Sequence, residues 1–157
     1  MARRQKRSLF LFRSGFTLLE IMAAIAITGI LAAIAIPNWG SLISTYRLNA
    51  AGRQLYADLQ RARMRAVMEN TTFRIVSSAG SNTYTFQREG TVLETKPLPV
   101  GISILADSTR SFTSRGTASS GRIRLCNSSK DERTDVVVNG VGRVRICRLN
   151  SCSAPNC

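Results

Sequence analysis

Residues 15–22 read Gly15-Phe16-Thr17-Leu18-Leu19-Glu20-Ile21-Met22, and the chain continues AAIAITGILAAIAI to Ile36. From Phe16 to Ile36 the run holds 21 residues with a single charge, Glu20. As a helix it would rise about 30 Å, the thickness of the hydrocarbon core of a bilayer. Arg3, Arg4, Lys6, Arg7 and Arg13 precede it with no acid among them. That order predicts a cytoplasmic N-terminus and a remainder on the far side of the membrane. A secretory signal peptide shares it. Two features argue against one: no small-residue cleavage site in a good context follows the apolar run, and Glu20 lies inside it, where an ionisable group is costly and usually functional.

The segment from Gly15 to Glu20 resembles the prepilin peptidase motif of type IV pilins and type II secretion pseudopilins. The resemblance implies cleavage after Gly15 by the prepilin peptidase, N-methylation of the new terminal Phe16, and a role for Glu20 in assembly. Pro37 falls where many pilins have a helix-kinking proline. Elementary physics agrees with the implied role of Glu20. An α-ammonium on Phe16 and a carboxylate at Glu20 are each unfavourable in lipid, and each is stabilised if it meets the other on a neighbouring subunit. The expected partners are other pilins or minor pilins in a filament, the peptidase and the inner membrane. The expected location is a single pass through that membrane with the head in the periplasm, then a pilus at the cell surface.

Composition narrows the function classes. The chain has 22 Lys+Arg against 9 Asp+Glu, and removing the five basic residues of the leader still leaves a clear excess. An anionic partner, nucleic acid or lipid, stands against an ordinary solvated face. Histidine is absent, which removes the commonest general base and the commonest metal ligand. No Gly-rich phosphate loop or paired-carboxylate spacing appears, so we expect no catalytic residues, no metal and no cofactor. Cys126, Cys147, Cys152 and Cys157 lack paired CxxC spacing and read as disulfides of an exported domain.

The helix is expected to continue to about Glu69, because Leu48, Leu55, Leu59, Ala62 and Ala66 share one face. Asn70 before two threonines reads as its stop. Strands are expected at 72–77, 83–88, 91–95, 102–105, 122–127, 134–138 and 143–148, with Asn139-Gly140-Val141-Gly142 as a turn. Residues 106–120 read as a loop with a short strand near Phe112. One long helix followed by strands, with no βαβ alternation, argues α+β: a type IV pilin-like long N-terminal helix packed on an antiparallel sheet or sandwich head. The divisions are a leader over 1–15, a transmembrane and filament-core helix over 16–37, an amphipathic continuation over 38–69 and a β-rich head over 70–157.

The pattern Gly-Arg-x-Arg occurs twice, at 121–124 and 142–145. In a strand, residues i and i+2 share a face. Arg122 with Arg124, and Arg143 with Arg145, are therefore expected as exposed basic pairs roughly 7 Å apart, with Ile123, Leu125, Val144 and Ile146 facing inward. That spacing is comparable to successive phosphates of a nucleic-acid strand. Guanidinium groups suit phosphates because they bind two oxygens and stay charged. Arg148 lies just beyond the second pair. From Arg110 onward nine basic residues face three acidic ones.

Residues 58–67, DLQRARMRAV, and 136–147, VVVNGVGRVRIC, resemble the FimT/GspH family of minor pilins and pseudopilins. Within it, FimT-type minor pilins with a C-terminal GRxR motif are implicated in DNA binding during natural transformation. The resemblance puts DNA binding on Arg143 and Arg145; extending it to Arg122, Arg124 and Arg148 is inference from the repeated pattern and its neighbourhood. Without an aromatic platform between the arginines, contacts should fall on the DNA backbone. The alternative is a type II secretion minor pseudopilin with protein partners. Three disulfide pairings are possible. Cys126 and Cys147 each end a GRxR strand at the same offset, which favours Cys126–Cys147, leaving Cys152–Cys157.

Overall fold

The apolar stripe on the second half of the helix is where the core forms. The computed structural model describes residues 16–155, without the side chains of 35–39. Helix α1 spans Leu18–Met68, and by contact density the chain divides into one unit up to Trp39 and another from Gly40.

In the first unit Thr17 caps α1: its Oγ1 accepts from the Glu20 amide at 3.2 Å. Threonine followed three residues later by glutamate is the capping-box pattern, which satisfies amides left open at a helix start. From Leu18 to Ile34 the large apolar side chains are exposed. Among the described residues no helix is long and apolar enough to cross a membrane. The span expected over 16–37 runs into residues 35–37, whose side chains lie outside the described residues. So do the leader and Gly15, while α1 runs through Pro37.

In the second unit α1 buries Leu48, Ala51, Leu55, Leu59, Ala62 and Ala66. The helix ends where expected: Asn70 takes a left-handed φ of 48°, and the Thr71 amide donates to the Ala66 carbonyl at 3.1 Å, a common C-terminal closure. Eight strands follow: β1 Phe73–Ser77, β2 Thr83–Arg88, β3 Thr91–Pro97, β4 Ile102–Ile104, β5 Ser108–Phe112, β6 Gly121–Asn127, β7 Glu132–Val138 and β8 Val144–Leu149. They form two four-stranded sheets, ordered β3-β2-β1-β5 and β4-β6-β7-β8, with antiparallel pairing throughout. The core lies between helix and sheets: Phe73, Ile75, Tyr84, Phe86 and Phe112 from the first sheet, and Ile102, Ile104, Ile123, Leu125, Val136, Val138 and Val144 from the second.

A buried polar contact ties α1 to the first sheet. The Tyr84 hydroxyl donates to Asp58 at 2.5 Å, and Lys96 Nζ meets the other Asp58 oxygen at 2.6 Å. Burial and the adjacent carboxylate push the Tyr84 hydroxyl far above its ordinary pKa, so it remains a donor.

The short strand expected near Phe112 is β5, paired along β1, with Phe112 as a core anchor. One expectation is corrected. The disulfide is Cys126–Cys152, with Cα atoms 5.6 Å apart, and not Cys126–Cys147. Strand β7 lies between β6 and β8, so Cys126 faces Arg133 while Cys147 faces Asp135. Two strand spacings come to about 9.6 Å, beyond the reach of a disulfide. With Cys152 bonded to Cys126, Cys152–Cys157 is also excluded. Cys147 is disulfide-bonded too, and no described cysteine is free; Cys157 lies outside the described residues.

Candidate nucleic-acid interface

The bridge from Cys126 brings the tail back over the outer face of the second sheet. Arg133 Nη1 donates to the Cys152 carbonyl at 3.0 Å and Nη2 to the Pro155 carbonyl at 3.3 Å. Asp131 accepts from the Ser151 hydroxyl at 2.8 Å and the Cys152 amide at 3.0 Å. These two bonds hold the Asp131 carboxyl below the usual carboxylate range. Near this tail Asp135 is fully buried and Arg133 is 3% exposed. Their groups approach to 2.9 Å, since a buried charge is tolerated only with a partner.

This arrangement decides which arginines are open. Arg122 Nη1 lies 3.9 Å from Asp135 and its side chain is 26% exposed. Arg124, in register with Asp135, is half-buried. The first GRxR copy therefore does not present the exposed pair expected of it. Ile123 and Leu125 do face the core, as expected.

The second copy differs. Asn139 closes the turn before β8: its amide donates to the Arg143 carbonyl at 3.1 Å, its carbonyl accepts from the Gly142 amide at 2.9 Å, and its side-chain oxygen accepts from the Arg143 amide at 2.8 Å. Val144 turns into the core while Arg143 and Arg145 stay exposed. Among the described residues no carboxylate lies within 4 Å of either guanidinium. Arg145, Val137 and Arg122 form one cross-strand row, so Arg145 shares the outer face of the sheet. Arg148 is exposed but three residues along β8, hence on the opposite face. It lines a cleft of about 220 Å³ with Thr45, Leu48 and Asn49 of α1. The five arginines expected together are thus divided among three environments.

The glycine of the second copy has a steric reason. Gly142 has φ +78°, and a Cβ there would lie 2.2 Å from the Gly116 carbonyl oxygen and 2.8 Å from Arg63 Nε. Arg63 donates to the Gly116 carbonyl at 3.1 Å and to the Val141 carbonyl at 3.2 Å. Arg63 and Arg115 also line a groove of about 400 Å³ with Gln60, Met64, Val67, Met68 and Gly116. Neither Arg63 nor Arg115 stood out in the sequence. Thr17 could have been found from the T-x-x-E pattern alone.

Residues 51–142, more than half of the chain, match the family profile of the type II transport protein GspH. Residues 12–36 match the prokaryotic N-terminal methylation motif. The minor pseudopilin EpsH from the type 2 secretion system of Vibrio cholerae superposes with a TM-score of 0.54 at 13% identity, over 64% of this chain and 96% of that one. The type IV minor pilin FimU of Pseudomonas aeruginosa gives 0.55 at 19% identity, over 69% of this chain and 96% of that one. At these identities the likeness is one of fold. No curated protein matches the chain significantly in sequence.

Proposed function

The chain belongs to the GspH family of type II transport proteins, and we propose that it is a minor pilin of a type IV pilus that binds DNA through Arg143 and Arg145. The binding is to the backbone and independent of sequence, and it serves DNA uptake in natural transformation or pilus biogenesis. One observation carries this reading: two guanidinium groups stand exposed on a fixed turn and edge strand with no carboxylate within 4 Å among the described residues. The other arginines of the second sheet are half-buried, ion-paired or on its opposite face. Fixed, unneutralised arginines suit phosphate, because their donors are already arranged and their charge is free to replace counterions.

The N-terminal half delivers this surface. In the proposal the prepilin peptidase cleaves between Gly15 and Phe16, Phe16 is N-methylated, and the methylation-motif match supports that processing. The apolar surface from Leu18 to Ile34, exposed in the isolated chain, is covered by the inner membrane before assembly and by other pilins afterwards. Glu20, in the first turn of α1, then accepts the α-ammonium of a neighbour.

The test is a DNA titration of the full chain in neutral detergent. Arg143→Gln with Arg145→Gln lowers affinity at low salt by about tenfold or more and makes the log-log salt dependence shallower by about two. An unchanged affinity sinks the DNA reading. It would favour the second reading, a minor pseudopilin of a type II secretion system, which the family match and the fold shared with EpsH also support.

A further inference from the structure

The contact between Gly142 and Gly116 joins two segments that lie far apart in the sequence. One residue before Gly116 stands Arg115, and one after Gly142 stands Arg143; both are exposed. The contact runs from Gly142 to the Gly116 carbonyl oxygen, and with a Cα step of 3.8 Å on each side the two arginine Cα atoms lie within about 14 Å of each other. The Ala118 amide donates to the Gly140 carbonyl at 3.0 Å, and the Thr113 amide to the Thr117 carbonyl at 2.9 Å. The 113–117 loop is therefore closed on itself and pinned to the turn that presents Arg143.

Arg63 is the pin from the helix side. Its guanidinium donates to Gly116 and to Val141, one carbonyl on each segment. A lysine has three donors on one nitrogen, but only the planar fork can hold two carbonyls in fixed directions. Among the described residues no carboxylate lies within 4 Å of Arg63 or Arg115, so neither charge is neutralised by an ion pair.

We propose that the anion-binding surface continues from β8 onto the 113–117 loop, with Arg115 as a third backbone-phosphate contact and Arg63 as the positioning residue that fixes Arg115 and Arg143 on one rim. This rests on the DNA reading above and extends it to residues in the loop and on α1. The ligand is the phosphate backbone of DNA, engaged by point contacts spread over more than one phosphate.

The experiment titrates the full chain in neutral detergent with a random-sequence duplex of about 30 base pairs at several salt concentrations. Arg115→Gln weakens binding about 3- to 10-fold at low salt and makes the salt dependence shallower by about one, the signature of one lost phosphate contact. Arg63→Gln weakens binding of the wild-type surface by a similar factor, but by less than about twofold when Arg115 and Arg143, the two residues it positions, are already glutamine. A merely structural Arg63 would give the same factor in both backgrounds, and that result overturns its positioning role. Arg115 is exposed, so its variant reports even if Arg63→Gln fails to fold. Unchanged affinity and slope for Arg115→Gln, with a large loss for the Arg143 and Arg145 pair, overturns the extension alone. No loss for that pair overturns the DNA reading beneath it.

Discussion

Residues 121–124 and 142–145 spell the same pattern, yet β6 lies between β4 and β7 while β8 is the edge of the sheet. The glycine of each copy makes room for an arginine from elsewhere. At Gly121, with φ +150°, the place of a Cβ is taken by the Arg110 guanidinium, which donates to the Ser120 carbonyl at 2.5 Å. At Gly142 it is taken by the Gly116 carbonyl and Arg63. The arginines then part company. Arg122 faces a buried carboxylate on a central strand near the returning tail; Arg143 and Arg145 project from an edge with no acid beside them among the described residues. A short motif fixes which residues alternate, and the strand's place in the sheet fixes whether its charges reach solvent. The first copy reads as part of the fold, and the second carries the arginines of the proposed site.

The largest effect that would break this contrast is on stability. Asp135→Ala leaves the buried Arg133 without its counter-charge and removes the acid beside Arg122. Removing one partner of a buried pair costs about 3–5 kcal/mol, and urea unfolding should show it. A loss under about 1 kcal/mol would mean that the first copy is not held by this pair and is free to act as the second does.

The tail comes next. The Cys126–Cys152 bridge closes a loop with a sequence separation of 26, so Cys126→Ser with Cys152→Ser should cost about 3 kcal/mol on loop-closure grounds. Peptide mapping of the unreduced chain should recover a fragment joining Cys126 to Cys152. A fragment joining Cys126 to Cys147 would return β6 and β8 to adjacency and remove the reason for their difference.

Much of this was legible in the residues themselves. The stripe from Leu48 to Ala66 named the core face of α1, Asn70 its end, and the alternation in β1, β2, β6 and β7 the strands. What local pattern could not supply was order across the sheet. Nothing in residues 121–148 says that β7 separates β6 from β8 directly enough to forbid Cys126–Cys147; that follows only from the full pairing. The same ignorance made five arginines look like one patch. Arg148 is placed by parity once β8 is regular, but Arg122 needed Asp135 across the strand, and Arg63 and Arg115 needed Gly116 to meet Gly142 over long sequence separations. Residues 106–120 looked like a loop with only a short strand near Phe112, because Ser, Thr and Gly dominate them. Two buried side chains, Ser108 and Phe112, were enough to fix a strand there.

The smallest effect concerns Asp131, which accepts from Ser151 and Cys152 at the tail's return. Its folded pKa is depressed by those bonds. A depressed carboxylate contributes stability above its unfolded pKa, about 3.9, and loses it as pH falls through the lower folded value. The Cys152 amide resonance should therefore titrate below the ordinary aspartate range, and the titration should vanish in Asp131→Asn. The carboxylate is exposed, so solvent screens it and the urea midpoint should barely follow. The disulfide and Arg133 still hold the tail when the carboxylate is protonated. A Cys152 amide that titrates at or above the ordinary aspartate value would show that Asp131 does not fasten the tail. The different fates of the two motifs would then rest on the bridge and the Arg133–Asp135 pair alone.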